Sequence, residues 1–302
     1  MDLIYRYDPY QPIELRQIPD AEAAMAALAA GNDRFADIVD RMHRRTEGED
    51  AGAPLVVPMN PLSLGLPLWR GGAPVQSPFA LVVGCADARA PIEAIFDQAF
   101  NDLFCVRIAG NILGTECVGS IDYAVRHLKS LRLAVVLGHS ECGAVTAAVD
   151  AYLAPHNYLE IAATHALRSL VDRIQIAVRG AARAIKEVHG AEAQEAVRYR
   201  TALRDVAVYL NAALTAFDLR RELSGLEAAD VRVVYSVYEM GTVHVQGSPW
   251  SADCVGSQRP PAFADAPLGP DDFAAAALVF ASSEYVARLL ATPTADELRM
   301  AR

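Results

Sequence analysis
Over residues 79–83, 103–108, 133–137 and 231–238 the chain is apolar almost without interruption for the length of a strand. Runs of that kind, lacking polar alternation, suit strands buried on both faces. After the first three the pattern changes to helical spacing, and a short apolar run followed by an amphipathic helix, repeated, predicts an α/β fold. The expected core is a central, mostly parallel sheet flanked by helices. Beyond Tyr238, the sequence Glu239-Met240-Gly241-Thr242 reads as a tight turn into an antiparallel edge strand at Val243-His244-Val245. Strand signal nearly vanishes between 144 and 226, and 153–223 predicts two or three long helices. Upstream, Met25, Leu28, Phe35, Ile38 and Met42 recur at helical spacing across 21–46. They predict an N-terminal helical arm, broken near Gly31-Asn32, whose apolar face needs a partner. The Gly- and Pro-rich stretch 48–78 carries Leu62, Leu64, Leu66, Leu68 and Trp69 and reads as an extended connection that packs. The tail opens Pro-rich and closes on an apolar helix over 273–290. Ser282, Ser283, Glu284 and Arg288 interrupt that helix, leaving it short of the roughly 20 clean residues of a membrane span. It is read as a packed helix. The organisation expected is an extension over 1–20, a main domain over 21–246 and a C-terminal extension over 247–302.

Composition narrows the partners. With 302 residues, 53% of them hydrophobic, the chain can bury a full core. A formal net charge of -10 and a pI near 5.2 leave no basic face for nucleic acid or an anionic membrane, so neither is expected. The first ten residues lack the basic and apolar regions of a secretory signal, and a cytoplasmic location is the expectation. Five scattered cysteines are too few for a disulfide framework, and reduced thiols are expected. Cys105 and Cys117 read as small buried hydrophobes.

Cys254, in the Pro- and Gly-containing tail, has no assigned role, and the remaining two thiols carry the chemistry. Cys85 is followed by Asp87 and Arg89, and later by His139 and Cys142. Two thiols and an imidazole are three ligands for one tetrahedral zinc. Cys85 follows the first strand and His139 and Cys142 follow the third, at the carboxyl ends where open parallel sheets bind ligands. A strand order of 2-1-3-4 would make those strands neighbours and bring the ligands together. Asp87 then decides the fourth position. As a ligand it closes the site; clamped by the Arg89 fork it turns away from the metal and can orient a water there. Ser140 is placed to cap a helix beginning near Glu141, whose N-terminus would favour the Cys142 thiolate. His43, His127, His156, His165 and His189 have no partner spacing and read as solvated. An arginine five or six residues after Cys85, as a cysteine phosphatase or sulfurtransferase requires, is missing: Ala90 and Pro91 stand there.

The paired motifs Cys85-Ala86-Asp87-Ala88-Arg89 and His139-Ser140-Glu141-Cys142-Gly143 resemble those of beta-class carbonic anhydrases. The text between them is similar too: Ile95-Phe96-Asp97-Gln98, Arg107-Ile108-Ala109-Gly110-Asn111, and Ser120-Ile121-Asp122-Tyr123-Ala124-Val125. So are the helix from Leu28 to Phe35 and the final Val237-Tyr238-Glu239 with Gly241, and the resemblance spans roughly residues 21–246. It implies reversible hydration of carbon dioxide to bicarbonate and a proton by zinc-bound hydroxide. Cys85, His139 and Cys142 would be the zinc ligands, with Asp87 and Arg89 governing the fourth position. Gln98, given by a neighbouring subunit, and Tyr123 and Gly143 would shape the substrate pocket. A homodimer, with N-terminal helices wrapping the partner, would be the basic unit, alone or within a tetramer or larger assembly. Without the family, Gln98 reads as a surface polar residue and Tyr123 as core. Val82 stands where bicarbonate-regulated members carry tryptophan, so the resemblance implies no bicarbonate inhibition through the pocket that Arg107 and Tyr238 match. The rivals are a carbon disulfide or carbonyl sulfide hydrolase on the same ligands, and a non-catalytic protein whose zinc is closed by Asp87.

Overall fold
A computed structural model of the chain describes residues 3–7, 17–48, 55–59, 61–67, 70–225, 231–254 and 256–291; Leu68 and Trp69 lie outside them. In chain order its elements are β1 (Leu3–Tyr7), α1 (Ala21–Thr46), β2 (Leu55–Met59), β3 (Ala80–Gly84), α2 (Ile92–Ile95), β4 (Leu103–Arg107), α3 (Thr115–His127) and β5 (Leu133–His139). There follow α4 (Gly143–Leu153), α5 (Tyr158–Ile161), α6 (His165–His189), α7 (Tyr199–Ser224), β6 (Arg232–Glu239), β7 (His244–Gln246), β8 (Ala264–Asp265), α8 (Pro270–Ala281) and α9 (Glu284–Leu290).

The main sheet runs β4-β3-β5-β6-β7, the 2-1-3-4 order that brings the candidate ligands together, with β3 through β6 parallel and β7 antiparallel. The tail adds β8, antiparallel on β6 beside β7. Side chains alternate between two cores, as strand geometry requires. Leu81 and Val83 face α4, α6 and α7, while Ala80 and Val82 face α1 and α2. Register pairs Gly84 with Leu137, so Cys85 and His139 leave the sheet side by side. Within the connection read as extended, β2 is a strand that pairs in parallel with β1.

Two helical expectations are corrected. The arm is not broken at Gly31-Asn32: α1 is continuous, capped by Asp20, which accepts from the Ala23 N–H at 2.8 Å. The two residues instead form its docking point. A Cβ on Gly31 would lie 1.7 Å from the Phe96 carbonyl oxygen, so only glycine permits this approach. Asn32 donates to the Ile95 and Val243 carbonyls (3.1 and 3.0 Å) and accepts from the Val245 N–H at 2.8 Å. The single helix expected over 273–290 is two, α8 and α9, bent by 58°. Ser283 caps the second by accepting from the Val286 N–H at 3.3 Å. Both pack as anticipated: Phe280 meets the Tyr209 and Tyr235 rings at 5.6 and 6.4 Å, and Val286 is buried. Among the described residues no single helix is long and apolar enough to cross a membrane. His189, read as solvated, ties this tail down, its Nε2 lying 2.7 Å from the Ala281 carbonyl oxygen.

Candidate metal centre
Cys85 leaves β3 one residue past Gly84, where a Cβ would press on Ile92 at 2.7 Å. His139 ends β5, and Cys142 precedes the first residue of α4. The structure brings one donor atom from each within 4.8 Å of the others, all three side chains buried. A tetrahedral cation with thiolate and imidazole ligands needs donors roughly 3.5–4 Å apart, so the cluster fits one with little adjustment.

The imidazole is prepared for a cation. Its Nδ1 lies 2.9 Å from the Ser140 carbonyl oxygen, an acceptor only, so Nδ1 carries the proton and Nε2 the lone pair. Nε2 is buried with no hydrogen-bond partner among the described residues, a cost that a metal ion removes. The thiols titrate as a pair. Cys85 is drawn down to about 4, chiefly by the hydrogen bond from Cys142, against the penalty of burial. Cys142 is raised by that same bond and by burial, while the Ala144 and Val145 N–H groups at the start of α4 pull the other way. A cation held between the two sulfurs would let both be thiolates.

Around the cluster, Arg89 grips Asp87 with Nη2 on Oδ2 at 2.8 Å and Nε on Oδ1 at 3.1 Å, and its own N–H adds a bond to Oδ1 at 2.9 Å. Chiefly through Arg89's side chain, the Asp87 carboxyl is lowered to about 2. Its Oδ2 lies 3.9 Å from His139 Nε2, so the carboxylate borders the metal position. Glu141, with φ of 56°, brings its carbonyl 3.4 Å and its carboxylate 3.7 Å from the same guanidinium.

Several supports were not foreseen. Gly110 donates its N–H to Cys85 Sγ at 3.4 Å from a turn with φ of 69°, and a side chain there would meet Ile174 at 2.8 Å. Asn211 on α7 holds that turn by donating to the Gly110 carbonyl at 2.8 Å. Arg107 donates to the carbonyls of Cys85 (3.0 Å) and Asp87 (2.6 Å), fixing the first ligand loop. Ser140 does not cap α4: its hydroxyl accepts from the Met240 N–H at 2.9 Å, and Cys142 stands at the cap position. Gly143 opens α4 beside Cys142 and is exposed. Gln98 and Tyr123 sit on other elements. Gln98 is buried rather than superficial, its amide donating to the Phe96 carbonyl at 2.8 Å and the Ala27 carbonyl of α1 at 3.5 Å. Tyr123 is 54% exposed on α3 rather than core, its ring 4.8 Å from that of His127.

Fold and cluster together define an α/β protein with a Cys-His-Cys cluster that could hold a metal ion at the carboxyl ends of two adjacent parallel strands. The chain belongs to the beta-class carbonic anhydrase family: the family model described as Carbonic anhydrase matches residues 80–245. It is 40% identical over 129 residues to Carbonic anhydrase 2 of Mycobacterium tuberculosis, covering 43% of this chain and 53% of that one. With the carbonic anhydrase of Mycolicibacterium smegmatis the identity is 41% over 129 residues, with the same coverage. The chain thus spans about half the length of the curated relatives it matches. Among solved structures it is similar to the Coccomyxa beta-carbonic anhydrase (TM-score 0.44, 24% identity, 57% of this chain and 72% of that one).

Proposed function
We propose that this chain is a zinc-dependent carbonic anhydrase, interconverting carbon dioxide and bicarbonate with release or uptake of a proton. The observation that carries the reading is the Cys85-His139-Cys142 cluster beside a carboxylate already committed to an arginine. Two relatives about 40% identical over 129 residues bear the name carbonic anhydrase, which supports it. Zinc held by the three side chains supplies Lewis acidity and so makes water a nucleophile near neutral pH.

The chain's own residues do the rest. Ser140 fixes the His139 tautomer, and the start of α4 favours Cys142 as thiolate. Two thiolates and a neutral imidazole balance a divalent charge. Asp87, ionised far below working pH, is acceptor-only. It would accept a hydrogen bond from a water beside it and so turn a lone pair of that water toward carbon dioxide. To become a fourth ligand itself, Asp87 would have to release the Arg89 fork, so the pair keeps that position open to water. A dimer belongs to this reading, supported by the 54% exposed Tyr123 and the 69% exposed Phe100. The test is Asp87→Ala: zinc content should stay at the wild-type level while hydration falls by roughly 100-fold or more, the scale of a lost positioning group. Undiminished hydration would remove Asp87 from the mechanism.

A further inference from the structure
The two cluster sulfurs obtain their N–H donors in different ways. Cys142 stands at the start of α4, where the Ala144 and Val145 N–H groups serve it. Cys85 lies just past the end of a strand and has no helix of its own to supply a donor. Its donor comes from a distant turn, the Gly110 N–H reaching Sγ at 3.4 Å. Gly110 sits at φ of 69° and ψ of 17°, and without a side chain it can leave that conformation at small cost, so something outside the residue must hold it there.

The flanking backbone holds only the two neighbours: the Ile108 N–H donates to the Gly84 carbonyl at 3.0 Å and the Asn111 N–H to the Ile108 carbonyl at 2.9 Å. Gly110 is buried, and its carbonyl is taken by Asn211, whose Nδ2 donates at 2.8 Å. Asn211 is 2% exposed, in the middle of α7. That helix is seated against the strand carrying the histidine: a Cβ on Gly138, next to His139, would touch the Ala212 Cβ at 3.5 Å and the Val208 carbonyl oxygen at 3.6 Å. One helix thus lies on β5 and, through one amide, fixes the turn that bonds the sulfur beyond β3.

We propose that Asn211 is a positioning residue for the metal centre: by holding the Gly110 carbonyl it keeps the Gly110 N–H on Cys85 Sγ, and so limits the charge that this sulfur gives to a bound metal ion. The inference rests on the assignment of the metal ligands and not on the reaction. An N–H bond to a thiolate draws charge back from the sulfur, and outer partners of this kind tune a metal as well as orient its ligands. Two thiolates give an ion more charge than imidazoles do, so such a bond preserves its Lewis acidity. Losing the Asn211 donor leaves the buried Gly110 carbonyl without a partner, and the glycine turns to find one, taking its N–H off the sulfur.

The experiment substitutes cobalt(II) into the full-length chain and compares the sulfur-to-cobalt charge-transfer absorption of the wild type, N211D and L219A. Aspartate has the shape of asparagine but, ionised, no hydrogen to donate. Leu219 is buried about two turns further along α7, so L219A loosens the same helix without touching the Gly110 turn. In N211D the charge-transfer band should move to longer wavelength, because a sulfur that has lost its N–H gives up charge more readily. L219A should lower the melting temperature and leave the band in place. Should N211D not fold, N211A, which removes the donor without burying a charge, stands in for it. A band at the wild-type wavelength in N211D, or in N211A where that stands in, overturns the proposal. So does an equal shift in L219A, which would trace the effect to a loosened helix. A wild-type chain that takes up no cobalt overturns the metal assignment and this proposal with it. Cobalt uptake without carbon dioxide hydration contradicts only the proposed reaction, and the band comparison still decides this inference.

Discussion
Asp87 and Glu239 are two carboxyl groups near one metal loop with opposite fates. Arg89 holds the first as an anion, whereas burial, with Asp205 adding to it, pushes the second up to about 8. A raised folded value has a definite sign. The unfolded glutamate ionises near 4.3, so stability from Glu239 is full below about pH 4 and is lost as pH rises toward 8. Glu239→Gln should therefore show a flatter stability profile between pH 5 and 8 than the wild type in urea unfolding, and greater relative stability at the alkaline end. An unchanged slope would mean that Glu239 ionises normally. At the ligands, Cys142→Ser should weaken zinc by more than the roughly 10–100-fold of a lost outer partner and lower the melting temperature with it. A stable, fully loaded variant would contradict the ligand set. The Cys85-His139-Cys142 cluster and the Asp87-Arg89 pair were legible because their chemistry lies in residue type and short spacing. Gln98 and Tyr123 show the limit, since burial of a polar residue and exposure of an aromatic one depend on packing that base rates ignore. Ser140 and Tyr285 were illegible for a related reason: their contacts reach Met240 past β6 and Asp205 on α7, and no local pattern records them.

Among the elements, strands were read most directly. Each buried strand needs an unbroken apolar run on both faces, and the adjacency of the first and third was the condition for Cys85 and His139 to meet. Helix interruptions misled in both directions. Gly31-Asn32 resembles a stop signal but is a contact, because α1 must approach the Phe96 carbonyl more closely than any side chain allows. Ser282-Ser283 was noted only as polar interruption, yet it ends α8 and caps α9. The contact reading makes a contrary prediction. Gly to Ala within a helix ordinarily stabilises by roughly 0.5–1 kcal/mol. Gly31→Ala should instead destabilise by about 1–3 kcal/mol, the cost of overpacking, measured by urea denaturation. A stabilised variant would show that α1 docks elsewhere.

For the molecule as a whole, the tail does not hang from the metal-binding fold. It contributes β8 to the sheet, Phe280 to the aromatic contacts with Tyr209 and Tyr235, and the His189 tether to α6. Removing residues 247–302 should bare the α6 and α7 faces and abolish cooperative unfolding in near-ultraviolet circular dichroism. A truncated chain with wild-type melting and metal content would make the tail a separable extension. The central claim is that three side chains from two strand ends, with Asp87 turned to Arg89, make a carbonic anhydrase. Stopped-flow hydration of carbon dioxide by the full chain, on protein of known zinc content and compared at pH 7 and 8.5, tests it directly. Fast hydration that scales with zinc content and rises with pH is the expected result. Fully loaded protein with no hydration at either pH would contradict it.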